Sequence, residues 1–408
     1  MYSQAGYNKR TDFYYDSQEN TLLKTNDVKH DKTAILTLCF GTVAICSDIY
    51  VAQPILPLLS TTFGVSHTVA SLAVSLNILA LSLALLVYGP VSDYAGRKPV
   101  MVTTGFLLVM PTLAIAFTYN FTIFLVLRTV QGLFVAGIAA IAMAYINEEF
   151  PSAIMGRMMG FYVSSMVSAG FLGRVLSGVL AGTFNWRITF IVFGILNLVG
   201  SCIMFYFLPD SRHFIRSAGL LNAYRAMLKH FNNRRLAGAF VIAFTLFFTF
   251  TGAFTYITFY LSAPPFNLST VALGLIFTVY ITGVLSPVAG SLSGRFGRRA
   301  VMGSGLMIAA LGISLTMVHS LAVIISGLFL LCAGLFSTQP AAGSFVGDNA
   351  KSSKGSATSL YLFSYYIGGS AGAFLPGFLW NAYGWPGVLS ACFISIAIAF
   401  LSLATLCR

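Results

Sequence analysis

Long apolar runs, separated by short polar stretches, fill most of this 408-residue chain. A helix needs about 20 apolar residues to cross a bilayer. Twelve runs reach that length, at residues 33–59, 69–91, 98–118, 121–147, 155–181, 187–208, 236–261, 269–292, 299–318, 321–345, 355–380 and 385–407. The runs are continuously apolar rather than alternating, which favours helices over the strands of a barrel. The pattern predicts an all-α membrane protein with twelve transmembrane helices.

Composition and charge support that class. With 57% hydrophobic and 8% charged residues, the chain cannot be an ordinary soluble domain. The net charge of +12 comes from cations dispersed among the short loops on one side of the predicted topology. The positive-inside rule then predicts a multi-pass integral membrane protein with both termini in the cytoplasm. Because the cations are dispersed, we expect no nucleic-acid partner.

One polar turn occurs twice along the chain. Gly89–Pro99 has the sequence Gly-Pro-Val-Ser-Asp-Tyr-Ala-Gly-Arg-Lys-Pro, and Gly290–Arg299, 201 positions later, has Gly-Ser-Leu-Ser-Gly-Arg-Phe-Gly-Arg-Arg. Gly89, Gly96, Arg97 and Lys98 match Gly290, Gly297, Arg298 and Arg299, whereas Gly294 replaces Asp93. The second copy has therefore lost this acid.

A second pairing has nearly the same offset. Tyr162, Gly170, Gly173, Gly178 and Trp186 align with Tyr361, Gly369, Gly372, Gly377 and Trp385. Two copies of one half-molecule are the simplest explanation. We therefore predict a flexible cytoplasmic tail at 1–32, a six-helix bundle at 33–208, a cytoplasmic central loop at 209–235 and a second six-helix bundle at 236–408.

Three motifs carry a resemblance to a known family. The pattern Gly-x-x-x-Asp-x-x-Gly-Arg-Lys between the second and third spans resembles the signature loop of the major facilitator superfamily, and its weaker copy lies where that family also has it. Arg128-x-x-Gln131-Gly132 is similar to the membrane-embedded arginine motif of the proton-coupled members. The eleventh span, around Ser359–Gly369, resembles uncharacterised bacterial inner-membrane members.

The resemblance implies a secondary transporter of the bacterial inner membrane. Its fold would be two pseudo-symmetric six-helix bundles, each of 3+3 inverted repeats, that rock to expose a central cavity alternately to each side. Asp93, Arg97 and Lys98 would form a gate latch that holds the inner face closed in the outward-open state. The gating loops would comprise Gly89, Asp93, Gly96, Arg97, Lys98, Gly290, Gly297, Arg298 and Arg299.

Asp48 is the only acidic residue that we place within the hydrocarbon depth of a span. An ionised carboxylate is costly there, so the residue is a natural proton carrier, with Arg128 tuning its affinity for the proton. Arg128 and Arg174 lie at similar depth. One arginine would pair with Asp48 and leave the other for an anionic substrate group or for backbone carbonyls. The alternative is that these side chains brace helix packing or snorkel outwards.

The second half has no acid or base deep in a span, and its polarity comes mainly from tyrosines and small hydroxyls. Aromatic walls suit an amphipathic or ring-bearing substrate. The candidate substrate-binding residues are Tyr50, Gln53, Arg174, Tyr256, Gln339 and Tyr365. The cysteines and histidines form no metal-ligand pattern, so we expect no metal site and no cofactor other than the proton gradient.

The leading hypothesis is proton-coupled antiport that exports a small amphipathic compound, by a protein that is not an enzyme. No phosphate-binding loop indicates ATP-driven pumping. The expected partners are the bilayer, the substrate and protons, with the protein as a monomer. The fifth span lacks the Gly-Pro pair common in drug:proton exporters, which weakens the case for export. The alternatives are proton-coupled uptake of a small organic anion, and a non-transporting membrane sensor or scaffold.

Overall fold

The computed structural model describes residues 31–211, 230, 233–350 and 354–407. Nearly all of the predicted tail at 1–32 and most of the predicted central loop at 209–235 lie outside these residues. The described part is helical. The helices are α1 (Asp31–Tyr50), α2 (Leu56–Phe63), α3 (His67–Ala95), α4 (Arg97–Ile115), α5 (Phe121–Glu149), α6 (Ser152–Thr183), α7 (Trp186–Phe207), α8 (Arg234–Ser262), α9 (Thr270–Ile276), α10 (Ser286–Phe296), α11 (Arg298–Leu315), α12 (Leu321–Asn349), α13 (Lys354–Phe374), α14 (Pro376–Tyr383) and α15 (Trp385–Thr405).

Short polar side chains start several of these helices. The N-cap residues Ser66, Asn120, Asn185, Asn233 and Ser269 each accept a hydrogen bond from a backbone N–H of the first helical turn. Ser and Asn are preferred at this position because the first N–H groups of a helix have no partner within it. The polar residues between the apolar runs therefore fix where the helices begin.

Ten helices of the described part are long and apolar enough to cross a membrane. The other two predicted spans are helical but divided. Span 269–292 becomes α9, a 3₁₀ stretch at Phe277–Leu285 and α10. Span 355–380 becomes α13 and α14, because Pro376 has no N–H to continue the helix and starts a new one.

The first predicted span, 33–59, is broken near its two prolines. The chain tightens into a 3₁₀ turn at Ser47–Tyr50, follows an irregular path over 51–55 and restarts as a helix at Leu56. Pro54 removes a backbone donor and its ring disturbs the preceding turn, while Pro57 suits the first turn of α2. The break leaves carbonyl groups near Asp48 without their usual partners in the helix.

The two recurring turns have matching backbone geometry. Gly96 alone joins α3 to α4 with φ +97° and ψ 151°, and Gly297 alone joins α10 to α11 with φ +87° and ψ 144°. Residues with a Cβ rarely adopt such dihedrals, which is why both positions hold glycine. Gly89 and Gly290 lie within the preceding helices, α3 and α10.

The helices before the central loop contact the helices after it on the side of the molecule that lies away from Gly96 and Gly297. Helix α3 packs against α13 there. Ser75 and Ser370 exchange hydrogen bonds from each hydroxyl to the other's carbonyl, both at 2.9 Å. Thr68 Oγ1 donates to the carbonyl of Gly377 at 2.9 Å. Thr68 and Ser75 belong to the half of α3 farthest from Gly96, so the molecule is closed on that side.

A second contact, between α6 and α9, closes the same side. A Cβ on Gly178 would lie 2.5 Å from the Cα of Gly274, so the two backbones touch directly. Small residues allow this close approach between membrane helices. The exact bundle boundaries at 33–208 and 236–408 stay a prediction.

Candidate functional site

A buried ion pair joins α1 to α5. Arg128 Nη1 lies 3.7 Å from Asp48 Oδ2, and neither side chain is exposed. Asp48 lies on the 3₁₀ turn at the end of α1, and Arg128 lies in the second turn of α5. Of the two arginines considered as partners for this acid, it is therefore Arg128 that pairs with it.

Neutral acceptors hold most of the Arg128 guanidinium. Its Nη1 donates to the carbonyl of Asp48 at 3.1 Å and to Gln131 Oε1 at 2.7 Å. Its Nη2 donates to the carbonyl of Ile49 at 3.0 Å, and its Nε to the carbonyl of Ala73 at 3.0 Å. Asp48 and Ile49 offer their carbonyls because the α-helix ends there. Arg128 is thus hydrogen-bonded largely without the Asp48 carboxylate.

Three polar side chains surround this pair. Gln131 Nε2 donates to Thr112 Oγ1 at 2.8 Å, and Asn197 Nδ2 donates to the same oxygen at 3.3 Å. Thr112 and Asn197 adjoin the Asp48 carboxyl group. Neither carboxyl oxygen has a hydrogen bond of good geometry within the described residues. The carboxyl group therefore contributes little to the local network except charge.

A cavity of about 190 Å³ lies between the helices before the central loop (the first set) and those after it (the second set). It exceeds the roughly 150 Å³ cavity that can hold a benzene molecule. Its lining comprises Tyr50, Ala139, Met143, Tyr162, Val163, Met166, Val167, Gly170, Arg174, Phe247, Phe250, Tyr280, Phe336, Gln339, Leu362, Tyr365 and Tyr366. Most lining positions of α5 and α6 lie in the halves of these helices on the side of the molecule that holds Gly96 and Gly297. The cavity thus lies between the closed end and the recurring turns.

Arg174 is the one charged residue among those lining residues. Its Nε donates to Gln53 Oε1 at 2.6 Å and its Nη1 to the carbonyl of Gly170 at 2.8 Å. Its Nη2 has no partner in the described part of the chain, although the side chain is only 1% exposed. The guanidinium carbon lies 3.9 Å from the ring centre of Tyr50 and 4.5 Å from that of Tyr280. Aromatic faces therefore replace an acidic partner.

Aromatic rings form the wall of the cavity that the helices after the central loop supply. Phe247 and Tyr365 stack with centroids 4.2 Å apart, and Phe250 stacks on Tyr280 at 5.1 Å. Phe336 lies 5.6 Å from Phe250. These residues come from α8, the 3₁₀ stretch, α12 and α13. The wall has the aromatic character predicted for the second half.

Four of the six predicted substrate-binding residues line the cavity: Tyr50, Arg174, Gln339 and Tyr365. Gln53 lies behind Arg174, bonded to it and to Thr255 Oγ1 at 3.2 Å.

Tyr256, the sixth predicted residue, does not line the cavity in the described conformation. Its hydroxyl donates to Ser71 Oγ at 3.1 Å, as part of the packing that closes the far side.

Sequence reasoning missed Tyr280 and the phenylalanines as site residues. Phe250 lies in an apolar helix with other phenylalanines, and no local pattern singles it out. Tyr280 is recognisable as a polar ring in a membrane span, but the sequence does not show that it meets Arg174. Only the packing of the 3₁₀ stretch against α6 brings them together.

The first recurring turn holds an ion-pair cluster. Arg97 pairs with Asp93 Oδ1 at 2.5 Å and, through two nitrogens, with the Glu148 carboxylate at 2.5 and 3.0 Å. Lys98 Nζ lies 3.5 Å from Asp210 Oδ1. Two parallel bonds from a guanidinium to a carboxylate are a strong, directional arrangement.

The second turn also has an acid. Arg298 Nη2 lies 2.7 Å from Asp348 Oδ2. Asp348 and Glu148 occupy equivalent places, near the ends of α12 and α5. The replacement of Asp93 by Gly294 therefore does not leave the second turn without a carboxylate, because the neighbouring helix supplies one.

Comparison with known proteins identifies the family. The Major Facilitator Superfamily model matches residues 38–282 and 263–408, which together cover most of the chain. The chain belongs to the major facilitator superfamily. Membership establishes a secondary transporter rather than an enzyme, and it confirms the fold class predicted from the apolar runs and the family resemblance.

Individual proteins that are similar to this chain include transporters. The chain is 36% identical over 396 residues to the inner membrane transport protein YnfM of Escherichia coli, covering 96% of this chain and 94% of that protein. It is 27% identical over 281 residues to a multi-drug resistance efflux pump PmrA homolog of Lactococcus lactis, covering 67% and 68%. A bacterial homologue of the human lysosomal transporter Spinster has the same fold, with a TM-score of 0.79 at 15% identity over 92% of this chain and 98% of that one.

Proposed function

We propose that this transporter is a proton-coupled antiporter of a bacterial inner membrane that exports a small amphipathic organic compound. The observation that carries the proposal is the fully buried Asp48–Arg128 pair, located beside an aromatic cavity. Tyr50 lies two residues after Asp48 on the same broken helix and lines that cavity. A substrate that moves Tyr50 would therefore act on the turn that carries the acid.

The ion pair is suited to repeated loss and recovery of a proton. At 3.7 Å the contact between Arg128 and Asp48 is longer than a hydrogen-bonded pair. Arg128 keeps its bonds to Gln131 and to backbone carbonyls when the Asp48 carboxyl group is neutral. Protonation then costs one long electrostatic contact and not the whole network.

In this proposal, alternating access means that the two sides of the molecule open in turn to the cavity. One end is closed by contacts such as Ser75–Ser370, and the cavity lies towards the other. The positive-inside rule assigns that other end, with Gly96, Gly297 and both chain termini, to the cytoplasm. The described conformation then presents the cavity to the cytoplasmic side, where an exporter takes up its substrate.

The gate latch stays part of the proposal. In a cysteine-free background, Asp93→Asn should increase labelling of a cysteine introduced at Leu362 by a thiol reagent added on the cytoplasmic side. The proposed reason is that closure of that face in the outward-open state requires the Asp93 charge, which in the described conformation pairs with Arg97 within the first set of helices. Equal labelling in both proteins, at equal expression, would remove the latch from the mechanism.

Proton flux tests the coupling. The full chain is reconstituted in proteoliposomes with an internal pH dye, and 1-naphthoate and ethidium serve as amphipathic anionic and cationic probes. We expect at least one probe to drive proton movement in the wild type. Asp48→Asn should bind that probe but move no protons. Asp16→Asn, which removes the same charge from the predicted tail, should behave as the wild type.

The sign of the flux separates two candidate functions. Protons that move against the probe indicate antiport, whereas protons that accompany it indicate uptake, the second candidate. Uptake of an organic anion is favoured by one observation, the unpaired Arg174 Nη2 in the cavity. Normal coupling in Asp48→Asn would exclude this acid as the proton carrier. Absence of any flux in the wild type would favour the non-transporting alternative.

A further inference from the structure

We infer that Arg174 and Tyr280 form an anion subsite in the cavity and that the transported compound is an amphipathic monoanion. Its carboxylate or sulfonate group would bind these two residues, and its apolar, ring-bearing body would lie against the aromatic wall. The inference deepens the proposed function and rests on it only for the statement that the bound compound is transported.

The Arg174 guanidinium is buried without a counterion. It is 1% exposed, and no carboxylate of the described residues lies within ion-pairing distance. Burying a charge is costly unless a partner compensates for it. Gln53 and Gly170 satisfy Nε and Nη1, but Nη2 has no acceptor. The missing acceptor is therefore an anion-binding position, and the cavity is the space that an anion can reach.

Tyr280 supplies a second, independent donor. Its hydroxyl is buried and has no hydrogen-bond partner in the described part of the chain, and the residue lines the same cavity. Its ring centre lies 4.5 Å from the Arg174 guanidinium carbon. An unpartnered buried hydroxyl is destabilising unless something else bonds to it. One carboxylate can accept from both groups, because its two oxygens accept separately.

The subsite is held in place before any ligand binds. Two hydrogen bonds fix the edge of the Arg174 guanidinium, and Tyr50, Phe277 and Phe250 surround it with ring centres at 3.9, 5.3 and 5.9 Å. A side chain ordered in advance loses less conformational entropy on binding. The rings also exclude water, which strengthens the interaction between the guanidinium and an anion.

The charge of the ligand follows from the count of lining charges. One cation and no acid line the described cavity, so one negative charge is neutralised there. A cationic compound would be repelled by Arg174. A neutral compound would leave the Arg174 charge unpaired, so binding should favour the monoanion.

The test measures equilibrium binding to the purified full chain at pH 7, without a proton gradient. The probes are 1-naphthoate, benzoate and octanoate, each beside its uncharged carboxamide. In the wild type we expect at least one anion to bind about tenfold or more tightly than its amide, as hydrogen bonds to charged groups allow. Arg174→Gln should abolish the difference, Arg174→Lys should keep part of it, and Tyr280→Phe should reduce it about threefold.

Two controls make the result specific. Arg187→Gln removes an arginine that stacks on Trp186 and Tyr119 and does not line the cavity, so the preference should remain. Tyr162→Phe removes a lining hydroxyl that already bonds to the carbonyl of Ala139, so it should have less effect than Tyr280→Phe. Size-exclusion chromatography establishes that each variant is folded.

The outcomes separate this inference from the proposed function. The subsite is overturned if no anion is preferred over its amide in the wild type, or if the preference survives in folded Arg174→Gln. Asp48→Asn should retain the preference. If Asp48→Asn still couples protons while Arg174→Gln loses the preference, the subsite stands and the proton-carrier proposal fails.

Discussion

Two buried arginines in the first six helices, Arg128 and Arg174, have opposite surroundings. Arg128 faces the broken end of α1 and is held by an acid, an amide and three backbone carbonyls. Arg174 faces the other set of helices and is held by one amide, one carbonyl and aromatic rings, with Nη2 unpaired. The same type of side chain therefore has two different environments in one half of the molecule.

The difference shows what distinguishes a closed polar centre from an open one. Around Arg128 the chain supplies an amide and three backbone carbonyls as acceptors, in addition to the Asp48 carboxyl group. Around Arg174 the described residues supply no acceptor for Nη2, and in our proposal an anion in the cavity completes the site. Both side chains are almost fully inaccessible, so burial does not distinguish the two arginines. Their hydrogen-bond and ion-pair partners distinguish them.

Removal of each guanidinium gives the largest contrast. Arg128→Met leaves the Asp48 charge and several carbonyls buried without partners, so the free energy of unfolding should fall by about 3–5 kcal/mol. Arg174→Met leaves the Gln53 amide oxygen without this donor but also removes an uncompensated buried charge, so the net change should be about 1 kcal/mol or less. Thermal unfolding of the detergent-solubilised proteins measures both. Similar losses of stability in both variants would contradict the difference between the two arginines. Partial recovery of stability in the double variant Arg128→Met with Asp48→Asn would assign the loss to the unpaired Asp48 charge.

The two orienting amides give a smaller contrast. Gln53 positions Arg174, and Gln131 positions Arg128. Gln53→Leu should weaken 1-naphthoate binding about fivefold, because Arg174 loses the bond that fixes its edge, and should leave proton coupling intact. Gln131→Leu should leave anion binding unchanged, which makes it the matched control. The same loss of anion affinity in both variants would indicate one connected centre instead of two.

The sequence predicted a large part of this architecture. Apolar runs predicted the twelve helical spans, although those at 33–59, 269–292 and 355–380 are divided, and the recurring turn led to the superfamily. It also placed Asp48, Arg128 and Arg174 at similar depth. It could not show that Asp48 pairs with Arg128, since equal depth along helices leaves their rotation and neighbours undetermined.

Residues that look alike in the sequence separate in the structure for the same reason. Tyr256 and Tyr280 are both tyrosines in apolar helices, but Tyr256 bonds to Ser71 in the closed end and Tyr280 borders the cavity. Glu148 and Asp348 look like ordinary acids at helix ends, yet they pair with Arg97 and Arg298. Such roles depend on contacts between distant segments.

The sequence by itself determined the membrane class, the helices and the duplicated turn, because bilayer thickness, proline and glycine act locally on the chain. The tertiary structure alone decided which arginine has a counterion and which side of the molecule is closed. It also decided which rings surround the cavity. These properties arise when helices far apart in the chain pack together, and a buried charge is compensated only by the groups that this packing brings within a few ångströms.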